Sequence, residues 1–495
     1  MHDVLVIGAG PTGLYLAYLL KKQGVNVRII EKDSGTSTHS KALVIHPRTL
    51  EMLDKESIVK PFLEAGLNIK SIQFHYGKKA HTLDLCHSPS PFPFVDSLPQ
   101  TETEKILLSL LEQEGVQVEW NTEVTHFENG FPVDQNSRSL EAKWIIGCDG
   151  AHSVTRKSHD YTFEGKSIPM HIFLADVDAD TDYNPEMYHF FLTKKTVAFL
   201  FPIGPKRFRV MFAQHDGRVL SEEEVKSRLP ALGFQNFTCK NFHWLQNFHL
   251  SMRMVQNLRR GNVFIIGDAA HVHTPLGGHG MNTCMQDAHN LAWKLALVVK
   301  GAAPDKILDT YSEERIPVIT DLLNESKIGT KLLGFSAHTT FNLLFKMVGI
   351  VFSLPKLRKK ALNRLLMTHV HYKDGVLFED CSHDSGWKAP KCGHWCPDFQ
   401  LEDGSNLRDH LRTSKFVLLH FGPHPKVVEC AKNHWGEFVE TVHIKGEKAR
   451  TFFKAKPDTV FVVRPDGYIG FRSKDAEPRE LDAYFKRFLK TPVTA

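Results

Sequence analysis

The sequence contains no apolar run long enough to cross a bilayer, and it has only eight cysteines. The longest apolar stretch, residues 341–354, is interrupted by Lys346 and falls short of the roughly 20 residues that a membrane helix requires, so it predicts a buried or interfacial helix. Eight cysteines scattered over 495 residues do not form a disulfide framework. Residues 3–7 already form an apolar strand, which leaves no room for a secretory signal. We therefore expect a cytoplasmic protein with no membrane span.

A long basic run is also absent. The formal net charge of +5 is small for 495 residues, of which 24% are charged. This balance argues against nucleic acid as a partner and weakly favours anionic small ligands. The length exceeds what one hydrophobic core usually organises, so two or three domains are expected.

Strand and helix patterns alternate at the start of the chain. Residues 3–7 predict a buried strand, 11–23 a helix and 26–31 a second strand, which together form a βαβ unit. Much later, residues 263–266 again predict a buried parallel strand, and long helices follow them. The two regions are therefore expected to share one α/β domain.

The segment between these regions has a different pattern. From residue 187 to 215, apolar and other residues alternate with period two, and the Gly204-Pro205 pair marks a turn. Such alternation is typical of antiparallel sheet with one buried face. We interpret it as a β-rich domain inserted into the first. Residues 379–391, rich in Ser, Asp, Lys and Pro, resemble a linker to a small C-terminal α/β unit.

A glycine motif, Gly8-Ala9-Gly10-Pro11-Thr12-Gly13, follows the first strand and opens the first helix. In such a motif the first glycine makes the turn, the second lets the backbone approach a pyrophosphate, and the third packs the helix on the strand. The helix N-terminus adds amide donors and positive potential. An acid ending the next strand is placed to accept hydrogen bonds from a ribose. A Rossmann-type dinucleotide site is therefore predicted at Gly8, Gly10, Pro11, Thr12, Gly13 and Glu31.

Two later segments add further ligand-binding signals. Residues 146–156 end a strand with the Asp149-Gly150 turn and place Arg156 just after it. Another strand ends in Gly267-Asp268, where the carboxylate suits recognition of hydroxyl groups on a cofactor chain. The loop 275–282 (PLGGHGMN) opens a helix, so its backbone N–H groups can reach a flat ring and favour negative charge on it. Each segment alone is also compatible with a simple turn after a strand.

The three segments, in this order, resemble the FAD-binding domain of the class A flavoprotein aromatic hydroxylases. The resemblance covers about residues 1–330. Ser40-Lys41-Ala42-Leu43 looks like a family stretch that usually reads Ser-Arg-Ala, and Gln100 matches a glutamine that lies against the flavin. The C-terminal unit, with Cys396-Pro397-Asp398-Phe399, looks like the thioredoxin-like tail of phenol-hydroxylase and polyketide-hydroxylase members. Because no Cys-x-x-Cys is present in this unit, dithiol exchange is not expected. We expect the unit to have a structural or dimer-forming role instead.

The resemblance implies an α/β fold with three units. They are a Rossmann-type FAD-binding domain at 1–158 and 259–378 with some substrate-domain strands near 69–98, an inserted antiparallel β-sheet substrate domain at 159–258, and, after the linker 379–391, a thioredoxin-like α/β domain at 392–495. The predicted FAD-binding residues beyond the first motif are Lys41, Gln100, Asp149, Arg156, Asp268, Pro275, Gly278, Gly280, Met281 and Asn282.

The implied function is monooxygenation of an aromatic ring. NADPH or NADH reduces the FAD, dioxygen adds to the flavin at C4a, and the hydroperoxide delivers one oxygen atom to a phenolic or polyketide-like substrate. No second G-x-G-x-x-G is present, so the nicotinamide nucleotide is expected to bind without its own Rossmann domain. Two alternatives stay open: a flavin dehydrogenase or reductase that inserts no oxygen, and a flavin-binding sensor or assembly protein.

Three positions depart from the family pattern. Lys41 stands where arginine is common, which keeps the charge but loses the bidentate fork. His152 also replaces a common arginine, and Cys284 replaces a common glycine. These departures leave FAD binding expected but put reactivity and nucleotide preference in question.

The substrate pocket is expected between the inserted sheet and the glycine loop. The residues predicted to line it are Phe190, Phe199, Met211 and His215. His279, inside the loop, is the candidate for contact with flavin or substrate, whereas His271 is interpreted as structural. Cys381, His383, Cys392, His394 and Cys396 raise a zinc hypothesis, which the spacing and the linker-like context disfavour, so no metal is predicted.

Overall fold

The computed structural model describes residues 1–193, 196–214, 216–334, 338–373, 375–382, 386–423 and 425–490. The strands, in chain order, are β1 (His2–Ile7), β2 (Val27–Ile30), β3 (Val44–Ile45), β4 (Leu67–Ile69), β5 (Ser71–Tyr76), β6 (Lys79–Asp84), β7 (Val95–Ser97), β8 (Val118–Glu119), β9 (Val124–Glu128), β10 (Phe131–Asp134), β11 (Ala142–Gly147), β12 (Phe163–Thr181), β13 (Met187–Leu192), β14 (Val197–Gly204), β15 (Arg207–Gln214), β16 (Phe237–Val255), β17 (Arg259–Arg260), β18 (Val263–Ile265), β19 (His271–Val272), β20 (Glu379–Asp380), β21 (Phe416–His420), β22 (Val439–His443), β23 (Val460–Val463) and β24 (Ile469–Ser473). The α-helices are α1 (Pro11–Lys22), α2 (Pro47–Lys55), α3 (Val59–Ala65), α4 (Gln100–Gln113), α5 (Val154–Ser158), α6 (Glu222–Arg228), α7 (His279–Val299), α8 (Thr310–Gly334), α9 (His338–Ser353), α10 (Pro355–Leu365), α11 (Pro425–Trp435), α12 (Glu447–Phe453) and α13 (Pro478–Lys486).

The first unit is built on a six-stranded sheet in the order β17-β18-β11-β1-β2-β8. Strand β1 pairs in parallel with both β2 and β11, and β11 pairs in parallel with β18. One face of the sheet packs on α1 and α7 and the other packs on Val124 and Leu140, so the apolar side chains of both faces are buried, which explains the continuous apolar runs in the sequence. The predicted βαβ opening and the return of the chain at residues 263–266 are therefore confirmed.

The second sheet has eight strands in the order β19-β16-β12-β15-β14-β13-β5-β6. The hairpin β14–β15 and the pairs β13–β14 and β12–β15 are antiparallel, as the period-two alternation predicted. Strand β5, which lies early in the chain, pairs in parallel with β13. One face of the sheet buries Phe191, Phe212 and their neighbours under α6, and the opposite face turns toward the first unit.

The C-terminal sheet has the order β20-β24-β23-β21-β22. Strand β20 lies inside the segment predicted as a linker, yet Glu379 pairs with Phe471 of β24. Trp387 and Ala389, from the same segment, are buried in the core of this unit. As far as the structure describes it, the segment 379–391 is therefore packed against the C-terminal unit, because the side chains of Trp387 and Ala389 are buried in the core of that unit.

The apolar run at 341–354 falls within α9. Phe345 is buried on one side of this helix, whereas Leu343, Met347 and Ile350 are exposed on another. No helix in the described ranges is both long and apolar enough to cross a bilayer.

A buried carboxyl lies in the three-stranded sheet β3-β7-β4. Asp96 of β7 is fully buried, and neither of its carboxylate oxygens has a hydrogen-bond partner among the described residues. Gly66 is packed so closely against it that a Cβ there would lie 1.9 Å from Asp96 Oδ1. Burial raises the pKa of Asp96 from 3.8 to about 8, so the carboxyl is protonated in the folded state at neutral pH.

We expect Asp96→Asn to flatten the pH dependence of stability. Because folding raises the pKa of Asp96, the protonated carboxyl makes its full contribution to the free energy of unfolding below pH 3.8. That contribution is lost progressively as the pH rises from 3.8 toward about 8. The loss approaches 1.4 kcal/mol per pH unit as an upper bound. In urea unfolding at pH 8, the free energy of unfolding of Asp96→Asn should exceed that of wild type by about 2–4 kcal/mol, and the difference should be clearly smaller at pH 5.5. Asp84→Asn, an exposed change on β6, should show no such pH-dependent gain. Parallel pH profiles for wild type and Asp96→Asn would contradict the prediction.

Candidate active site

The first glycine motif forms a tight turn between β1 and α1. Gly8 has φ +107°, a value that favours glycine, and a Cβ there would lie 2.4 Å from the carbonyl oxygen of Cys148. A Cβ on Gly13 would lie 1.9 Å from the carbonyl oxygen of Gly8. These two glycines are therefore required by packing inside the protein itself, as the motif predicts for turn and helix contact.

Gly10 differs from both. It precedes α1 with φ −71°, and no atom lies within 4 Å of the position that a Cβ would occupy. Open space remains in front of the α1 N-terminus, where a diphosphate is predicted. This space between Gly10, Glu31 and the glycine loop 275–282 is called the cleft below. Glu31 stands at the edge of this space, and its carboxylate accepts hydrogen bonds from Ala9 N at 2.7 Å and Asp33 N at 3.1 Å. Its remaining lone pairs are available to ribose hydroxyls.

The later motifs converge on the same turn. Cys148 and Asp149 lie directly behind Gly8, and a Cβ on Gly267 would lie 3.0 Å from Thr12 Oγ1. Asp268, the next residue, keeps an exposed carboxylate, one oxygen of which accepts a bond from Cys284 Sγ at 3.6 Å. The structure thus brings together three segments that are up to about 260 residues apart in sequence.

The Asp149 turn is held mainly by protein contacts. Asp149 Oδ2 accepts bonds from the backbone N–H and the hydroxyl of Thr155, both at 3.0 Å, while Oδ1 is buried with no partner among the described residues. The Arg156 guanidinium donates to Ala269 O at 2.9 Å and Ala151 O at 2.8 Å. Arg156 therefore ties the Asp268 turn to the Asp149 turn, and direct contact with the cofactor stays a prediction.

The glycine loop before α7 has an unusual backbone. Gly277 and Gly278 have φ +84° and +67°, in the left-handed region. A Cβ on Gly278 would lie 2.8 Å from Cβ of Val44. Asn282 fixes the loop from behind, because its side chain donates to Val44 O at 2.7 Å and Gly278 O at 2.8 Å. Gly280 and Met281 open the helix, where amide groups are free to face a ligand.

Three predicted substrate residues form a row on the sheet. Phe190 of β13 pairs with Phe199 of β14, and Phe199 pairs with Met211 of β15. The rings of Phe190 and Phe199 meet edge to face with centroids 4.9 Å apart. The row belongs to apolar clusters that include Val44 and Phe345, so it lies beside the glycine loop and under α9. The fourth predicted residue, His215, lies outside the described residues.

The profile of the FAD binding domain family matches residues 1–326, and that of the family described as aromatic-ring hydroxylase, C-terminal, matches residues 389–492.

The chain belongs to the FAD-dependent aromatic-ring hydroxylases.

Its relatives include proteins named as monooxygenases and hydroxylases. The 6-methylpretetramide 4-monooxygenase of Streptomyces rimosus is 30% identical over 97% of this chain and 92% of its own length. The pentachlorophenol 4-monooxygenase of Sphingobium chlorophenolicum is 29% identical over 84% of this chain and 79% of its own length. The solved anhydrotetracycline hydroxylase OxyS of Streptomyces rimosus covers 99% of this chain and all of its own with a TM-score of 0.83 and 25% identity. The chain is accordingly an FAD-dependent monooxygenase.

The residues at the cleft fit FAD. The open space at Gly10 provides room for a ligand, and the carboxylates of Asp268 and Asp149 provide hydrogen-bond acceptors. Gly277 and Gly278, both in the left-handed region, add no side chains of their own to the loop before α7. The hydroxylase therefore has room in front of α1, backbone N–H donors at the α1 N-terminus and carboxylate acceptors, as a dinucleotide requires.

His279 is less accessible than its place in the loop suggested. The imidazole is almost fully buried, and its Nε2 lies 3.2 Å from the carbonyl oxygen of Leu365, to which it donates. Burial lowers the pKa of His279 to about 4, so the ring is neutral at physiological pH. These contacts give it a positioning role between the loop and the end of α10, and its contact with flavin or substrate stays a prediction.

Arg209 of β15 was not among the residues predicted from the sequence to bind cofactor or substrate. Its guanidinium is buried, forms two bonds of 2.8 Å with the Asp176 carboxylate, and donates to Ser40 O at 2.7 Å. It thereby fixes the stretch that carries Lys41, whose side chain is exposed. A cation in the middle of an apolar strand was the only signal in the sequence.

Gln100 joins the same stretch to α4. Its backbone N–H donates to Ser40 Oγ at 2.8 Å, and its side-chain oxygen accepts from Ala42 N at 3.1 Å. The side-chain NH2 donates to Glu104 at 2.8 Å. Lys41 and Gln100 are thus held in one network at the cleft, and their contacts with FAD stay predictions.

His271 is part of a buried polar network, in agreement with a structural role. Its Nε2 lies 2.6 Å from Asp287 Oδ2, and Arg315 Nε donates to Asp287 Oδ1 at 2.7 Å. Of the residues behind the zinc hypothesis, His383 lies outside the described residues. Cys392 Sγ donates to the carbonyl oxygen of Glu379 at 3.0 Å, which is a protein contact.

Proposed function

We propose that this hydroxylase uses NADPH or NADH and dioxygen to hydroxylate a phenolic or polyketide-like aromatic substrate. The observation that carries the proposal is the aromatic row beside the glycine loop, which offers ring faces and edges to a planar ligand. The relatives named for pentachlorophenol and 6-methylpretetramide support the same substrate class. Bound FAD would supply electron transfer from the nicotinamide and activation of dioxygen.

The protein's own contribution is binding and orientation. We propose that Gly8, Gly10 and the α1 N-terminus hold the diphosphate, that Glu31 binds the adenosine ribose, and that Asp268 binds the ribityl hydroxyls. The apolar side chains of the sheet exclude water from the ring of the substrate.

We further propose the division of the chain into the FAD-binding, substrate and C-terminal units given above, with the C-terminal unit thioredoxin-like. The order β20-β24-β23-β21-β22, with β21–β22 parallel and β21–β23 antiparallel, supports this proposal. All eight cysteines are free, which supports a reducing compartment such as the cytoplasm.

The decisive experiment measures whether an oxygen atom from dioxygen is incorporated into the product. Purified protein is supplied with NADPH or NADH and a panel of phenols, salicylates and polycyclic quinones, and substrate-stimulated consumption of the nicotinamide is recorded. With the best substrate, labelled dioxygen should appear in the product as one oxygen atom. Product without label would favour a dehydrogenase or reductase. No substrate-stimulated turnover with any compound would favour a sensor or assembly protein.

Phe199→Leu tests the substrate row. Phe199 faces the predicted pocket, and the change removes a ring face while keeping most of the volume, so we expect KM to rise about tenfold, or hydroxylation to become uncoupled from NAD(P)H consumption. Phe191→Leu is the matched control, because Phe191 is buried on the other face of the sheet under α6. It should change stability but not KM. If Phe199→Leu and Phe191→Leu changed KM equally, Phe199 would not line the substrate pocket.

A further inference from the structure

The segment from α9 into α10 carries most of the exposed large apolar side chains. Among the described residues nine such side chains are exposed, and five of them lie between positions 343 and 357. They are Leu343 (60% exposed), Met347 (52%), Ile350 (58%), Leu354 (48%) and Leu357 (44%). Single exposed apolar residues are ordinary on a protein surface, but a concentration of this kind marks an interaction site.

Three of the exposed side chains, Leu343, Met347 and Ile350, share one side of α9, because their spacing of four and three residues is that of one helix face. Leu354 and Leu357 follow at the junction with α10 and in its first turn. The opposite face holds the helix on the sheet: Phe345 stacks on His81 of β6 with ring centroids 4.3 Å apart, and Phe352 meets Phe74 of β5 at 5.4 Å. The helix is thus docked on the protein and still presents an apolar face outward.

Positive charge surrounds this face. Residues 326–373 include nine lysines and arginines and no aspartate or glutamate. Lys346, Lys356, Lys359 and Lys360 are exposed, and within the described part of the chain no acidic group forms an ion pair with any of them. An outward apolar stripe flanked by unpaired lysines is the pattern of a helix that lies in the headgroup region of an anionic membrane.

We propose that the α9–α10 face docks this enzyme on the surface of an anionic membrane without spanning it. The apolar stripe would enter the headgroup boundary while the lysines contact the negative surface. A second copy of the chain fits less well, because a two-fold contact through this face would place like charges opposite one another. The cytoplasmic leaflet is the anionic surface that a cytoplasmic protein meets.

Docking would also place the bilayer next to the substrate row. Phe345, on the inner side of α9, belongs to the same apolar cluster as Phe199. Insofar as it rests on the proposed function, this adjacency identifies lipophilic aromatics that partition into membranes as the substrate class. Docking itself does not depend on that function, because it concerns the outer face of the helix.

The test is co-sedimentation of the full-length protein with vesicles. Vesicles of phosphatidylcholine alone are compared with vesicles containing phosphatidylglycerol, at low and high salt. We expect binding to the anionic vesicles only, weakening as salt rises. The double variant Met347→Gln/Ile350→Gln should bind at least tenfold less tightly. Val376→Gln/Phe452→Gln, which changes two exposed apolar residues elsewhere, is the matched control and should bind like wild type.

A charge variant separates the two parts of the proposal. Lys356→Glu/Lys359→Glu should lower binding to anionic vesicles at least tenfold, since each lysine near such a surface contributes about fivefold. Equal binding of wild type to neutral and anionic vesicles would overturn the proposal. Undiminished vesicle binding by Met347→Gln/Ile350→Gln or by Lys356→Glu/Lys359→Glu would overturn it as well. So would a concentration-dependent dimer that Met347→Gln/Ile350→Gln dissociates while wild type binds no vesicles. Sedimentation needs no turnover, so failure here is distinct from failure of the proposed monooxygenase reaction.

Discussion

Gly10→Ala is expected to yield a folded protein that has lost its flavin. The added methyl group meets no protein atom within 4 Å, and the backbone of Gly10 has a negative φ that alanine adopts readily. The methyl group would instead occupy the open space before α1, where the backbone must approach the diphosphate. Flavin absorbance per protein after purification should fall at least tenfold. The thermal midpoint should stay close to that of flavin-stripped wild type.

Gly13→Ala is the contrasting change in the same turn. Its methyl group would lie 1.9 Å from the carbonyl oxygen of Gly8, so the helix must shift away from the strand. We expect it to lose both flavin and folding stability, the latter by about 1–3 kcal/mol.

Gly204→Ala is the control for both glycine variants. It adds the same methyl group to the end of β14, at an ordinary 3.6 Å from Arg207 Cβ, and should change neither property. Full flavin occupancy in Gly10→Ala would show that the diphosphate lies elsewhere.

Local patterns were sufficient to predict the glycine turns and the strands beside them. The turn at Gly8 and the pair Gly277-Gly278 depend on backbone conformations that few residues other than glycine adopt, so their positions are visible in sequence. The strands on either side are buried on both faces and therefore read as continuous apolar runs. For these reasons β1, α1, β2 and the return strand β18 were predicted within one or two residues of their bounds.

The side chains that hold the cleft together were not predictable in the same way. Asn282 was predicted to bind FAD; its side-chain amide donates to a backbone carbonyl of β3 and to one of the glycine loop, and its contact with FAD stays a prediction. Arg209 joins the inserted sheet to the Ser40 backbone, a contact between residues 169 positions apart. Sequence periodicity carries no information on such pairs, because each contact depends on how elements far apart in the chain are brought together in the fold.

The segment 379–391 failed as a linker for a related reason. Its composition is that of a solvent-exposed connection, but Trp387 finds a partner in Lys454 O, to which its indole N–H donates at 2.8 Å. The two-residue strand β20 pairs with a strand some 90 positions later. Composition describes average exposure and cannot show that Trp387 is buried in the core of the C-terminal unit.

Glu314→Gln is expected to be among the most destabilising single changes in the chain. Glu314 of α8 accepts two bonds from Arg464 of the C-terminal unit, at 2.8 and 2.9 Å, and lies 3.0 Å from Lys294 Nζ. Arg464 also pairs with Asp466, and all four charged groups are buried. Burial alone would raise the pKa of Glu314, but Arg464 and Lys294 lower it to about 2, so the group is ionised. Losing this charge leaves two buried cations with one carboxylate, at a cost of about 3–5 kcal/mol in urea unfolding.

The double variant Glu314→Gln/Arg464→Met decides whether charge balance is the cause. In wild type two cations face two carboxylates, and each single change leaves one charge unmatched, whereas the double change leaves Lys294 with Asp466. We therefore expect the double variant to be less destabilised than the sum of the singles by at least 1.5 kcal/mol. Glu64→Gln, which removes one partner of the exposed Lys60–Glu64 pair, should cost well under 1 kcal/mol. Because the contact joins α8 to the C-terminal unit, limited proteolysis should release that unit faster in either single variant. Strict additivity would mean that packing of the separate side chains, rather than their charges, holds the two units together.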